Sequence, residues 1–172
     1  MKRYLLLLAL ALLPAFAAFS QTPEEDPDVQ YAAELLAPGE LAPDFSLPDI
    51  DGDAFAMKDL RGSYVVLVFW ASWCPDCRAE VPELKAMYEK YAPKGIRFVS
   101  VSFDRTAEKW KEYVASQSLP GVQLFDPAGK KESAVSAAYR VKWIPSLYLI
   151  GPDGKVVTRT VVASRIASAL AE

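Results

Sequence analysis

The sequence predicts an α/β protein in which a central mixed β-sheet is flanked by helices and preceded by a β-hairpin. Three observations carry this prediction. Strand-like and helix-like stretches alternate along the chain, as they do in α/β folds. Residues 64–70 (YVVLVFW) are apolar or aromatic at every position, which is typical of a central strand buried on both faces. The 172 residues are enough for one domain with a sizeable core, and no repeat or linker divides them.

Composition excludes several classes of site. The chain has two cysteines, no histidine and a formal net charge of −3. Without histidine there is no Ser-His-Asp triad, no Cys-His dyad and no histidine-ligated metal or haem. Two cysteines cannot form a four-thiolate zinc site or an iron–sulfur cluster. A mildly acidic chain lacks the positive charge that attracts nucleic acid. We therefore expect no cofactor, no metal and no nucleic-acid partner.

The amino terminus has the layout of a secretory signal peptide over residues 1–20. A short basic start is followed by an apolar stretch over residues 4–19, and the small residues Ala18 and Ser20 precede the expected cleavage point. This stretch of 16 residues is shorter than the ~20 that a spanning helix needs. We therefore expect an exported protein, periplasmic or otherwise extracytoplasmic, that contacts the membrane only if the signal segment stays uncleaved. Export would place the two cysteines in an oxidising compartment.

The mature chain is expected to begin with a flexible tether over residues 21–40, which contain several prolines and acidic residues. The folded domain is predicted to span residues 41–172. Its first element is a β-hairpin with strands at residues 45–47 and 54–57, because an Asp-Gly turn signal separates two short alternating runs.

A helix is predicted over residues 75–91, with a kink at Pro82. Its apolar residues are spaced by four, three, four and three, which places them on one stripe. They are Cys77, Val81, Leu84, Tyr88 and Tyr91.

The rest of the chain continues the alternation between strands and helices. Gly95 ends the helix, and a Pro-Asp-Gly turn separates the last two strands. The predicted elements are a strand at 96–103, a helix at 107–118, a strand at 122–125, a helix at 132–139, strands at 146–150 and 155–161, and a helix from a Ser164 cap to residue 170.

The two cysteines are predicted to stand at the start of a helix. Pro75 suits the first helical position, which leaves Cys74 at the N-cap. Unpaired N–H groups and the positive end of the helix dipole then favour the thiolate, so we expect them to lower the pKa of the Cys74 thiol. Cys77 lies one turn further on, where it can resolve a mixed disulfide.

The sequence around the cysteines resembles the thioredoxin superfamily. The motif Trp-Ala-x-Trp-Cys-x-x-Cys follows a buried strand, and matching segments occur before and after it. They are residues 41–45 (LAPDF), 60–62 (LRG), 141–145 (VKWIP) and 151–155 (GPDGK). Within the superfamily the chain is similar to exported thiol–disulfide oxidoreductases of the TlpA and ResA type, over residues 40–170. The resemblance implies a thioredoxin-like fold.

The resemblance also implies roles for five positions. Cys74 would be the attacking thiolate and Cys77 the resolving thiol. Pro145 would be a cis proline packed against the disulfide, and the Ile144 backbone would pair with an extended substrate chain. Glu80 matches an acidic residue that follows the second cysteine by three positions, where a carboxylate can exchange a proton with the resolving thiol.

The chain departs from thioredoxin at two places. Apolar Val68 stands where a buried acidic residue is expected, which favours Glu80 as the proton carrier. Asp76 places a negative charge beside Cys74, and Arg78 offsets it only in part. This charge is expected to raise the pKa of the Cys74 thiol, which disfavours the dithiol form and makes the protein a reductant.

Groups near the cysteines are candidate contacts for a substrate chain, with packing in the core as the alternative for the two tryptophans. Trp73 and Trp143 are expected to form a flat apolar rim, and Pro75 and Asp76 lie between the cysteines. The expected partners are protein disulfides and, by resemblance, a membrane thiol-relay protein that donates electrons.

Several alternatives remain open at this point. The pair could be a structural disulfide or a Cu(I) site, although a ring this small constrains the chain little and no histidine is present. The protein could run the exchange in reverse as an oxidant, or be a redox-inactive binding module. A peroxiredoxin is disfavoured because its motif needs proline and threonine where this chain has Leu67 and Ala71.

Overall fold

A five-stranded mixed β-sheet forms the centre of the fold in a computed structural model that describes residues 25–172. The strands are β1 (Ser46–Pro48), β2 (Ala54–Ala56), β3 (Val65–Trp70), β4 (Arg97–Ser102), β5 (Val122–Phe125), β6 (Ser146–Ile150) and β7 (Val156–Thr160). The central sheet has the order β5-β4-β3-β6-β7, with β3, β4 and β5 parallel and β6 and β7 antiparallel to their neighbours. Strands β1 and β2 form a separate antiparallel hairpin. The predicted mixed sheet and amino-terminal hairpin are confirmed.

Seven α-helices accompany the sheet within residues 25–172. They are α1 (Pro27–Tyr31), α2 (Pro75–Ala79), α3 (Val81–Tyr91), α4 (Ala107–Gln117), α5 (Gly129–Glu132), α6 (Ala134–Ala138) and α7 (Ala163–Ala169). The predicted helix over residues 75–91 is in fact α2 and α3, separated at Glu80. Pro82 explains the break, because it has no N–H for the carbonyl of Arg78 and its ring crowds that carbonyl.

Two other helix boundaries differ from the prediction. The single helix expected over residues 132–139 is α5 followed by α6, and Ser133 between them accepts a hydrogen bond from Ser136 N–H at 2.7 Å. Ser133 is therefore an N-cap. Helix α7 begins before Ser164, with Val162 at the N-cap position and no capping bond from that residue.

The core lies on both faces of β3, which is buried at all six positions. Val68 and Trp70 face the side covered by α3. On the opposite face Phe69, Tyr139 and Tyr148 pack in aromatic contacts with ring centroids 5.2–6.2 Å apart. Burial raises the pKa values of both tyrosines well above their usual range, so their hydroxyls remain hydrogen-bond donors.

The segment before residue 41 packs on this aromatic face. Leu35 and Leu36 are 1% and 4% exposed. Tyr148 Oη accepts the N–H of Leu36 at 3.1 Å and donates to the carbonyl of Tyr139 at 2.5 Å. Arg159 donates to the carbonyl of Leu35 at 2.6 Å. Residues 27–36, expected to be part of a flexible tether, are instead a packed segment of the domain.

The amino end of this segment is held by charge. Asp26 and Asp28 both form ion pairs with Arg165 of α7.

Within residues 25–172 no helix combines the length and apolar character needed to cross a membrane. The predicted signal peptide, residues 1–20, lies outside the described residues.

Candidate active site

The two cysteines form a disulfide at the amino end of α2. Their Cα atoms are 5.3 Å apart. Cys74 is the N-cap, with φ −86° and ψ 115°, and its Sγ accepts the N–H of Cys77 at 3.2 Å. Pro75 occupies the first helical position as predicted. The helix end therefore directs an N–H group at the Cys74 sulfur, which is the arrangement that stabilises a thiolate when the disulfide is reduced.

A cis peptide bond joins Ile144 and Pro145 beside the disulfide. The carbonyl oxygen of Ile144 lies 3.6 Å from Cys74 Sγ. Pro145 lines the same cavity as Cys77. The fold thus brings together two segments that are 70 residues apart in sequence.

Glu80 lies at the joint between α2 and α3. Its Oε2 accepts the N–H of Ala163, the first residue of α7, at 2.7 Å. This contact explains why α7 needs no cap from Ser164. Glu80 also lines the cavity that contains Cys77, so one carboxylate contacts both a helix terminus and the space behind Cys77.

The cavity behind Cys77 is apolar with a few buried polar atoms. It encloses ≈ 30 Å³, which is enough for about one water molecule. Trp70 Nε1 and Gln123 Oε1 both belong to lining residues and have no partner among the described protein groups. Gln123 and Ser100 are cross-strand neighbours, in one row with Val68. Glu80 is the one carboxylate among the residues that line this cavity within the described chain.

Two tryptophans are exposed next to segments that form the site, since Trp73 precedes Cys74 and Trp143 precedes Ile144. Trp73 and Trp143 are 54% and 42% exposed, while Trp70 and Trp110 are buried in the core. Pro75 and Asp76 are also exposed.

Tyr31 of α1 stacks on Trp143 with ring centroids 4.5 Å apart. Sequence reasoning missed this contact, because the stretch containing Tyr31 was expected to be a tether. The packed amino-terminal segment therefore reaches the edge of the site.

Asp104 positions the loop before Cys74 and was also missed. It is 2% exposed and accepts hydrogen bonds from the N–H and hydroxyl of Ser72 at 3.0 and 2.6 Å, and from the hydroxyl of Ser102 at 2.6 Å. In the sequence, Asp104 could have been identified by its place just after β4, the strand that neighbours β3.

No group of three or more acidic or thiol side chains that could hold a metal ion occurs within the part of the chain described here.

Comparisons with known proteins agree with this geometry. A family model described as the AhpC/TSA family matches residues 38–159. Thiol-disulfide oxidoreductase ResA from Bacillus anthracis is 34% identical over 128 residues, which cover 74% of this chain and 72% of ResA. ResA from Bacillus subtilis (strain 168) is 31% identical over 124 residues, or 72% of this chain and 67% of that protein.

Solved structures show the same relationship. The thioredoxin domain of a thiol-disulfide oxidoreductase from Bacteroides vulgatus is 28% identical, with a TM-score of 0.73 and coverage of 79% of this chain and 96% of that domain. A thiol:disulfide interchange protein from Bacteroides sp. is also 28% identical, with a TM-score of 0.71 and coverage of 78% and 88%. The resemblance to ResA and the thioredoxin-like fold are therefore confirmed. The chain belongs to the AhpC/TSA family and is a thioredoxin-like thiol–disulfide oxidoreductase related to ResA.

Proposed function

We propose that the protein is exported and reduces disulfides in other proteins through Cys74 and Cys77. The observation that carries this proposal is the cysteine pair at the start of α2, with the Ile144 carbonyl 3.6 Å from Cys74 Sγ beside a cis proline. A thiolate at the N-cap can attack, and a backbone edge next to it can hold an extended substrate chain. Trp73 and Trp143 offer apolar surface on either side of that edge.

The reaction proceeds in two exchange steps. In the first, the Cys74 thiolate attacks one sulfur of the substrate disulfide, which breaks the substrate S–S bond and forms a mixed disulfide; the released substrate thiolate takes a proton. In the second, Cys77 loses its proton and attacks Cys74 Sγ, which releases the other substrate thiol. The substrate gains two electrons and two protons, and the Cys74–Cys77 disulfide forms.

Glu80 is proposed as the group that takes the proton from Cys77. It lines the cavity that contains Cys77, and that cavity admits little water. Its Oε2 is occupied by the N–H of Ala163, so Oε1 is the atom proposed to exchange the proton.

The direction of electron flow is proposed from the charges at Cys74. Asp76 is exposed beside Cys74, and no residue of the described chain forms an ion pair with it. Arg78 lies instead over the ring of Tyr113, 5.8 Å from its centroid. An uncompensated carboxylate disfavours the thiolate and so disfavours the reduced state, which makes the dithiol a better reductant. A membrane thiol-relay protein is the proposed electron donor.

Two measurements test this proposal. Insulin reduction with dithiothreitol as electron source should be catalysed by the natural protein and lost in Cys74→Ser, whereas a binding module would catalyse nothing in either form. Equilibration with glutathione buffers should give a reduction potential nearer the about −270 mV of thioredoxin than the about −120 mV of a strong disulfide oxidant. A value near the second figure would overturn the assigned direction. Trapping with Cys77→Ser would then retain the substrates as mixed disulfides.

A further inference from the structure

Three lysines lie close to the exposed tryptophans of the site. Lys130 and Lys131 belong to α5, and Lys142 directly precedes Trp143. Lys131 and Lys142 are exposed, and Lys130 is half-buried. We call these three side chains the basic ridge. Lys142 belongs to the segment 141–145 named above, but none of the three lysines has a role in the proposed exchange reaction.

Two surface depressions meet at the basic ridge. The first, of ≈ 400 Å³, is lined in part by Trp73 and both lysines of α5. The second, of ≈ 480 Å³, is lined in part by the same two lysines, Arg140 and Lys142. The two depressions therefore extend from Trp73, which precedes Cys74, to Lys142, which precedes Trp143 in the chain.

The ridge lysines have no carboxylate partners. Every ion pair within residues 25–172 is made by an arginine. Lys130 Nζ donates to the backbone carbonyl of Lys142 at 2.7 Å, which holds it near its neighbours. Burial, followed by the positive charges of Lys131 and Lys142, lowers the pKa of Lys130. The three ammonium groups therefore act on one another and form one positive patch.

Two carboxylates border the depressions and do not neutralise this patch. Asp104 is buried, and its oxygens accept two hydrogen bonds from Ser72 and one from the hydroxyl of Ser102. Glu34 is exposed, but it is a single charge against three lysines. Arg140 is paired with Glu40 at 2.7 Å and adds little. The basic ridge thus presents a positive surface on a chain whose net charge is −3.

We propose that the basic ridge selects protein substrates that carry acidic side chains close to the cysteine under attack. This inference rests on the proposed reduction of protein disulfides. An extended substrate chain paired with Ile144 would pass Lys142, which is two residues away, at a spacing of about 3.3 Å per residue. Carboxylates on that chain would meet the ridge, because opposite charges across an interface raise association rates and discriminate against wrong partners.

The test compares two disulfide peptides that share one loop and differ only in having three acidic or three glutamine residues beside the disulfide. Reduced protein is mixed with each peptide, and its oxidation is followed in a single turnover. The natural protein should prefer the acidic peptide, and the preference should shrink between 20 and 500 mM salt because salt screens exposed charges. The variant Lys130→Gln/Lys131→Gln/Lys142→Gln should lose at least about tenfold in rate on the acidic peptide, or about 1.4 kcal/mol, and little on the glutamine peptide.

Matched variants separate this effect from a change in net charge or fold. Lys58→Gln/Lys109→Gln/Lys155→Gln removes three exposed lysines elsewhere and should retain the preference. Lys131→Glu/Lys142→Glu leaves Lys130 and its hydrogen bond in place and should reverse the preference.

Two readouts distinguish failure of the inference from failure of the proposed function. Reduction of the uncharged disulfide of 2-mercaptoethanol reports the exchange chemistry alone and should be equal in all variants. Binding of a redox-inert acidic peptide, with serine for both cysteines, reports the ridge alone by fluorescence anisotropy. Equal rates and equal binding for both peptides with the natural protein would overturn the inference. The inference would also be overturned if the basic ridge bound phosphatidylglycerol vesicles while the protein reduced the acidic and the glutamine peptide at equal rates.

Discussion

Replacing Glu80 by glutamine should slow the resolving step while leaving the fold nearly intact. A glutamine carbonyl can still accept the N–H of Ala163, the contact that Glu80 makes at 2.7 Å, but it cannot take a proton from Cys77. Among the residues that line the cavity in the described chain, no second carboxylate is present to substitute. General acid–base catalysis contributes about 10²–10⁴-fold, so we expect a loss of at least about 10²-fold in the rate of mixed-disulfide resolution at neutral pH.

The alanine variant at the same position isolates the structural part of the contact. Glu80→Ala leaves the N–H of Ala163, a residue that is 0% exposed, without its partner. The lost charged hydrogen bond should reduce the free energy of unfolding by about 1.5–3 kcal/mol, against less than about 1 kcal/mol for Glu80→Gln.

The assay is a stopped-flow measurement in which a substrate disulfide is mixed with the reduced protein at several pH values, with urea unfolding run alongside. In Glu80→Gln the resolving rate should rise with pH, because Cys77 must then lose its proton to solvent. Proton transfer by Glu80 would be refuted if Glu80→Gln resolved the mixed disulfide as fast as the wild-type protein while Glu80→Ala was both slower and less stable. Glu80 would then serve only to hold the start of α7.

Two further pairs of substitutions test packing in the fold. Leu35→Ala should lower the free energy of unfolding by about 2–5 kcal/mol, since Leu35 is 1% exposed, whereas Val29→Ala at a 71% exposed position should change it little. Gly121→Ala should be more destabilising than Gly95→Ala in the same urea titration. Both glycines have positive φ, +77° and +90°, but only at Gly121 would a new Cβ lie 2.7 Å from the carbonyl oxygen of Phe98. Equal losses at the two glycines would show that backbone strain alone decides the cost.

The strands of the central sheet could be predicted closely from the sequence. The run at residues 64–70 is apolar at every position, and the structure buries all six residues of β3. The N-cap position of Cys74 could be predicted as well, because Pro75 is compatible with the first turn of a helix and little else at that point. These features depend on neighbours in the chain.

Features that depend on distant residues could not be predicted. The burial of Leu35 depends on a contact with Arg159, 124 residues away, inside a stretch whose prolines and acidic residues favour a tether. The start of α7 depends on Glu80, 83 residues earlier. The cis bond before Pro145 has no local signal either, since only a few per cent of such bonds are cis; the family resemblance alone indicated it.

The packed amino-terminal segment limits how far the redox site can move relative to the chain that precedes residue 25. Ten residues from 27 to 36, fully extended, would give about 34 Å of free reach. Because Tyr148 and Arg159 hold this segment on the sheet, it adds none of that reach. At its amino end the segment is fixed to α7 through Arg165, and the Tyr31 ring stacks on Trp143. The amino-terminal segment is therefore in direct contact with the surface where substrates would dock.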